Sequence, residues 1–218
     1  MHLQNVLRFL EELKENNNRE WFNENKARYL EVKEEFDKIV AFLIKEIAKF
    51  DPGVANLLPK NCVFRIYRDV RFSKDKSPYK INFGAAFNKG GKKNPVGTYY
   101  IHIEPGKSFV GGGMWMPPGD VLKKVRSEIM YNVEDFKKII YSKKFKETYS
   151  DLMDEKLKRP PVGFPADFPD IELLKYKSFV VGKTFDNKEI LKDGFLENVP
   201  TLFKVLQPLN MFLDKALD

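Results

Sequence analysis

The sequence predicts an α+β protein, with an antiparallel sheet of about five strands packed with a long N-terminal helix pair and several C-terminal helices. Apolar residues recur at helical spacing as far as Phe50, alternate with polar ones after Lys60, and return to helical spacing after Pro118. Short turns separate the alternating runs, which favours an antiparallel meander over a parallel sheet.

Val6, Phe9, Leu10 and Leu13 mark the apolar face of a first helix that ends at Asn16, Asn17 and Asn18. Asn17 with Glu20 has the spacing of a capping box. Phe22, Tyr29, Phe36, Leu43 and Phe50 then repeat every seven residues, flanked by Val32, Ile39 and Ile47. They predict one long helix running to the Asp51-Pro52-Gly53 stop, so the helical start occupies residues 3–50. At 1.5 Å per residue such a helix reaches about 45 to 50 Å.

The sheet region is expected over 60–116. Cys62, Phe64, Ile66, Arg68, Val70 and Phe72 alternate with Val63, Arg65, Tyr67, Asp69, Arg71 and Ser73, which reads as a strand. Ile81, Phe83 and Phe87 suggest a second. Thr98 to Glu104 and Phe109 to Trp115 form a hairpin about Pro105, Gly106 and Lys107. A helical region over 118–155 opens at Pro117 and Pro118, with Val121, Leu122, Val125 and Ile129 as its first apolar face. Asn132 and Ser142 are expected N-caps for two shorter helices carrying Phe136, Ile139, Ile140, Phe145 and Tyr149. In the Pro-rich connection 159–169, Val162, Phe164 and Phe168 predict a segment lying across the core. A last part, 178–217, holds a strand from Ser178 to Lys183 and a helix from Pro200 to Leu217 kinked at Pro208. No internal repeat is found, and the expectation is a single domain over 1–218.

With 218 residues, 43% apolar, and 13 each of Gly and Pro, the chain has the composition of a globular protein, which excludes collagen-like and disordered classes. The lone Cys62 excludes an internal disulfide, and Met1 to Leu13 has neither the basic start nor the apolar run of a signal peptide. The longest uncharged stretch, Ser108 to Gly119, is too short and too rich in Gly and Pro for a membrane helix. A cytoplasmic location without membrane contact is therefore expected.

Charge is concentrated. Between Lys60 and Lys93 stand ten basic residues (Lys60, Arg65, Arg68, Arg71, Lys74, Lys76, Lys80, Lys89, Lys92 and Lys93) against Asp69 and Asp75, while the rest of the chain is close to neutral. Such a block attracts anionic partners. A charge at Arg68, on the face shared with Phe64, Ile66 and Val70, must be paired or line a cavity. Two readings are open: an internal ion-pair ladder organised by Asp69, or an anion site built from Arg65, Arg68 and Arg71 with Lys76 and Lys80.

On the next expected strand Thr98, Tyr100, His102 and Glu104 share one face. His102 beside Glu104 reads either as an acid–base pair or as a structural hydrogen-bonding pair. Two His and one Cys do not make a Cys/His zinc site, and no HExxH or paired CxxC occurs, so no metal or named cofactor is called for. Gly111, Gly112 and Gly113 ahead of a helix read either as an anion cradle or as bare backbone against which something packs. The SxxK spacings at Ser73 and Ser77 fall in a Lys-rich turn and are read as coincidental.

Four blocks carry a family resemblance: YRDVRFSKDKSPYK (Tyr67 to Lys80), YYIHIEPGKSFVGGGMWMPP (Tyr99 to Pro118) with Arg126 beyond it, LKRPPVGF (Leu157 to Phe164) and LLKYKSFVV (Leu173 to Val181). Together they resemble the family called domain of unknown function 2461, over nearly the whole chain. The resemblance implies an α+β domain and no particular reaction, cofactor or substrate. In the Pro-rich block it also implies Lys and His at positions where this chain has Val162 and Phe168.

The expected function is binding of a small phosphorylated or carboxylated molecule between the basic segment and the Gly-rich hairpin. Arg68 and Arg71 would hold the anion, with Arg65, Lys76 and Lys80 adding charge. Tyr67, Tyr79, Gly112, Gly113 and Trp115 would form the walls, and His102 with Glu104 the acid–base pair if a reaction occurs. A nucleic-acid-binding module is the first alternative, with Tyr67, Tyr79 or Tyr100 stacking on bases. A protein docking through the apolar stripe of its long N-terminal helix is the second.

Overall fold

The computed structural model describes residues 2–92 and 94–218, so Lys93 of the basic run lies outside it. In chain order the elements are α1 (Gln4–Glu15), α2 (Arg19–Glu24), α3 (Lys26–Ile47), α4 (Pro59–Cys62), β1 (Phe83–Phe87), β2 (Thr98–Ile103), β3 (Ser108–Met114), α5 (Gly119–Tyr131), α6 (Val133–Ile140), α7 (Lys143–Tyr149), α8 (Ile171–Leu174), β4 (Phe179–Phe185), α9 (Asn187–Ile190) and α10 (Phe195–Lys215). The four strands make one antiparallel sheet in the order β1-β2-β3-β4.

The N-terminal stripe is two helices rather than one. Asn18, not Asn17, is the N-cap of α2, its side chain accepting from the Trp21 amide. The helix then stops at Asn25, whose amide donates to the Trp21 carbonyl, and restarts as α3. The 22 residues of α3 therefore span about 33 Å. Asn17 is used elsewhere: its carboxamide donates to the Tyr79 carbonyl (2.9 Å) and accepts from the Tyr79 amide (3.1 Å).

The expected strand from Cys62 to Ser73 does not form. Cys62 ends α4, and the following residues are extended but pair only at isolated bridges, Val63 with Ala85 and Tyr67 with Tyr79. Burial still alternates, with Ile66 buried and Arg65, Tyr67, Asp69 and Arg71 exposed. Local side-chain bonding outcompetes a ladder here: Asp69 accepts from the Arg71 amide and Asp75 from the Ser77 amide, and these Asx turns curl the chain.

Other expectations shift in smaller ways. Val162 is 97% exposed, so the Pro-rich connection does not cross the core there, although Phe164 and Phe168 are half-buried. The last helix starts at Phe195 and runs through both Pro200 and Pro208. Ser142 caps α7 through the Phe145 amide, whereas the Asn132 side chain donates to Glu128 and does not cap α6.

The chain divides into two compact units, each drawn from three stretches. The first comprises the described residues of Met1–Lys92, Tyr100–Val110 and Thr184–Pro200, and the second those of Lys93–Tyr99, Gly111–Lys183 and Thr201–Asp218. In the first, Phe22 stacks on Tyr79 with ring centroids 3.9 Å apart, and Phe36 meets Phe83 at 5.2 Å. Phe22, Phe36 and Leu43 are buried and Tyr29 and Phe50 half-buried, so the seven-residue stripe is a core face. In the second, Tyr99 packs on Phe203, and Phe136 on Phe179 and Phe212, while the buried Tyr149 hydroxyl donates to the Leu202 carbonyl at 2.8 Å.

Within the second unit the three glycines of β3 lie against bare backbone. A Cβ on Gly111 would overlap the Val181 carbonyl oxygen, one on Gly112 the Thr98 carbonyl oxygen, and one on Gly113 the Phe179 carbonyl oxygen. Gly112 also has a φ of 155°. Gly112→Ala should lower stability by more than about 3 kcal/mol or prevent folding, because neither backbone can retreat without breaking the sheet. Gly119→Ala, at the open start of α5 with nothing within 4 Å, should leave urea denaturation unchanged or raise the midpoint slightly.

Candidate functional site

Alternation along β2 buries Tyr99, Ile101 and Ile103 and leaves Thr98, Tyr100, His102 and Glu104 half-buried on the opposite face. Three of these form a chain in the first unit. The Tyr100 hydroxyl lies 3.1 Å from His102 Nδ1, and His102 Nε2 lies 2.9 Å from Glu104 Oε2. The Glu104 carboxylate accepts, so Nε2 carries the hydrogen and Nδ1 accepts from Tyr100. Phe109 stacks on the imidazole at 4.8 Å, fixing its plane.

Tyr100 has room because Gly84 on β1 has no side chain: a Cβ there would overlap the phenol oxygen. Burial, reinforced by the Glu104 charge, pushes the Tyr100 hydroxyl up to about 12. The hydroxyl thus remains a proton carrier throughout the neutral range.

The Phe64 ring meets Tyr100 edge-on at 6.2 Å, and two ammonium groups lie near it, Lys80 Nζ at 5.6 Å and Lys92 Nζ at 5.7 Å from its centroid. Lys92 donates to the carbonyls of Lys60 and Val63. Neither lysine has a carboxylate partner among the described residues, nor does the exposed Arg65. Burial first, then repulsion from Arg65 and Lys92, lowers the Lys80 pKa.

Arg68 and Arg71 are engaged differently. Arg68 pairs with Asp75 and also donates to the Ser77 carbonyl and the Ser73 hydroxyl, while Arg71 holds Asp69 through two bonds of 2.9 and 2.7 Å. Lys76 donates to the Val70 carbonyl at 3.0 Å. These bonds knit residues 68–77 into a closed loop that uses both carboxylates of the segment. Tyr79 belongs to the core against Phe22 and is no pocket wall; Tyr67 is 49% exposed. Gly112, Gly113 and Trp115 belong to the second unit.

A surface cleft of about 700 Å³ is lined by Asn17, Asn18, Arg19 and Glu20 on one side and Val70, Lys76, Ser77 and Pro78 on the other. No three His, Cys, Asp or Glu residues are placed to hold a metal ion among the described residues. The buried Cys62 thiol is pushed up to about 11 by burial, so it is no reactive thiolate near neutrality. No helix among the described residues is long and apolar enough to cross a membrane.

The sequence puts Tyr100 on one face with His102 and Glu104 but suggests a role for it only in base stacking, not in a chain with them. The signal for the chain was present in the i, i+2, i+4 spacing on one strand face. Lys92 was counted in the basic run without being placed at the site, since only the fold brings it and Lys80 to one aromatic ring.

These elements define an α+β protein whose hydrogen-bonded tyrosine, histidine and glutamate share a sheet face with unpaired cations nearby. The chain matches, over residues 5–212, the family described as Conserved hypothetical protein (DUF2461), and it belongs to that family. No curated protein and no solved structure shows significant similarity to it.

Asp75 tests the closed loop. The Ser77 hydroxyl and amide, and then Arg68, hold its carboxyl down to about 2 from 3.8. A depressed folded-state pKa contributes stability above the unfolded value that is lost as pH falls through the folded one. Asp75→Asn should therefore flatten the acid limb of stability between about pH 4 and 2. It should also make the Ser77 amide exchange faster in a hydrogen-exchange measurement, because that amide loses its charged acceptor.

Proposed function

We propose that the protein binds a small phosphorylated or carboxylated molecule on the β1–β2 face of the first unit and exchanges a proton with it. Lys80, Arg65 and Lys92 attract the anion. The observation that carries this reading is the pair of ammonium groups near one aromatic ring without a carboxylate between them, beside a three-residue hydrogen-bonded chain. Such repulsion disfavours the bare protein and is relieved by an anion.

Proton movement follows from the order of the bonds. A ligand proton reaching the Tyr100 oxygen displaces the phenol proton onto His102 Nδ1, and the imidazolium so formed is stabilised by Glu104 through Nε2–H. The same chain run backwards returns the proton. Arg68 and Arg71 then act as loop builders, with their charges largely spent on Asp75 and Asp69.

A second reading has its own observation. Phe72 is 95% exposed and Tyr67 half-exposed on the loop that also carries Arg65, Arg71 and Lys74, an arrangement that suits stacking on single-stranded nucleic acid. Binding of that kind weakens steeply with salt.

The test is a thermal-shift and calorimetry panel of inorganic phosphate, sugar phosphates, dicarboxylates and short oligonucleotides at low and high salt. A small anion at about 100 times its Kd should stabilise by ~2.7 kcal/mol. Lys80→Met should weaken that anion on the order of ten- to a hundredfold, the value of one charge-assisted hydrogen bond, and His102→Gln should leave binding within a fewfold. Unchanged affinity in Lys80→Met would overturn this placement. A shift seen only with oligonucleotides at low salt would select the second reading.

A further inference from the structure

Arg126 lies at the centre of α5, in the second unit, and is only 8% exposed. Of the five N–H donors of its guanidinium, one is engaged, an Nη2–H to the Tyr176 carbonyl at 3.0 Å. Nε is buried without a partner, Nη1 makes no bond, and no carboxylate pairs with the charge among the described residues. An arginine buried in this way is strongly unfavourable unless its charge and donors are met. The chain supplies one carbonyl and no carboxylate, so an oxyanion from outside would meet both the charge and the unused donors.

The neighbouring geometry points the same way. Tyr176, whose carbonyl receives Arg126, lies two residues before Ser178, whose buried hydroxyl accepts from the Met116 amide at 2.9 Å. Among the described residues, Met116 is one of two non-glycines with positive φ, at 42°. That strained turn leaves Trp115 and Met116 more than half exposed just ahead of α5. Backbone strain beside a large exposed aromatic is a pattern that folds keep at ligand clamps. Arg126 and this turn therefore hold the same short segment, residues 176–178, from two elements.

The geometry points to a small-oxyanion site anchored by Arg126 at the junction of α5 with residues 176–178, taking the carboxylate or phosphate group of a ligand. A planar fork with Nε, Nη1 and one Nη2 hydrogen unused suits two oxygens of one group. The site belongs to the second unit and the Lys80 face to the first, and the 115–118 turn is the part of the second unit placed to respond when it fills.

The test uses the full chain with inorganic phosphate and acetate as probes. Either probe, or both, should raise the melting midpoint of the wild type and of Lys80→Met, and should move the Arg126 Nε–H resonance, identified by its loss in Arg126→Lys. With the Lys80 face removed as well, the double variant Lys80→Met, Arg126→Met should melt at a midpoint that neither probe shifts. An Nε–H resonance that stays put at saturating phosphate and acetate overturns the site, and the titration itself is read on the wild type. So does a probe response retained in the double variant. Loss of the response in Lys80→Met alone would assign it to the first unit and equally overturn this proposal.

Discussion

Bare backbone on β3 is the constraint on which the sheet depends. At Gly111, Gly112 and Gly113 the carbonyls of β2 and β4 approach so closely that no side chain fits, and the register of the central strands is thereby fixed. Register decides which face each residue of β2 occupies, because a slip of one position exchanges the two faces. The chain from Tyr100 through His102 to Glu104 exists only in this register. Three residues without side chains thus set which face of β2 carries Tyr100, His102 and Glu104, and neighbouring carbonyls lie where an open cradle was the other reading of the same glycines.

Charge is divided between shaping and reserve. Asp69 and Asp75 are the only acids of the 60–93 stretch, and each is used within the loop, on Arg71 and Arg68 respectively. Exposed pairs of this kind add little to stability. Their effect is geometric, since with the Ser77 and Val70 bonds they replace the ladder that an isolated strand would have needed. Arg65 and Lys80 are left without acids, and burial first, then repulsion from Arg65 and Lys92, lowers the Lys80 pKa.

The parts of the fold set by apolar periodicity were legible: α1, the second strand and the hairpin of the sheet region, β4 and the three helices α5 to α7 fall where spacing placed them, while α10 begins earlier, at Phe195, and the short α8 and α9 carry no such signal. The failures have local causes. The break at Asn25 lies inside an unbroken heptad pattern, because a side-chain amide competing for the helix backbone leaves apolar spacing intact. Residues 62–73 alternate in burial without forming a strand, because alternation reports which side faces solvent and not whether a partner lies alongside. Val162 was misplaced because hydrophobicity alone was read as burial in a segment whose prolines hold it on the surface. At the site, the His102–Glu104 pairing was readable from its i, i+2 spacing. The convergence of Lys80 and Lys92 on Phe64 was not, since it depends on contacts across the fold.

The side chain of Asn17 acts as a stand-in for a strand. It offers Tyr79 one donor and one acceptor, the pair that an adjoining backbone would offer, on the side of Tyr79 turned away from its bridge to Tyr67. Further along, the Phe64 amide donates to the Gly84 carbonyl on the outer margin of β1. An open strand margin is a template for pairing with another chain and so for aggregation. Here a single carboxamide and a short extended segment occupy backbone groups that would otherwise be open to pairing by a neighbouring molecule.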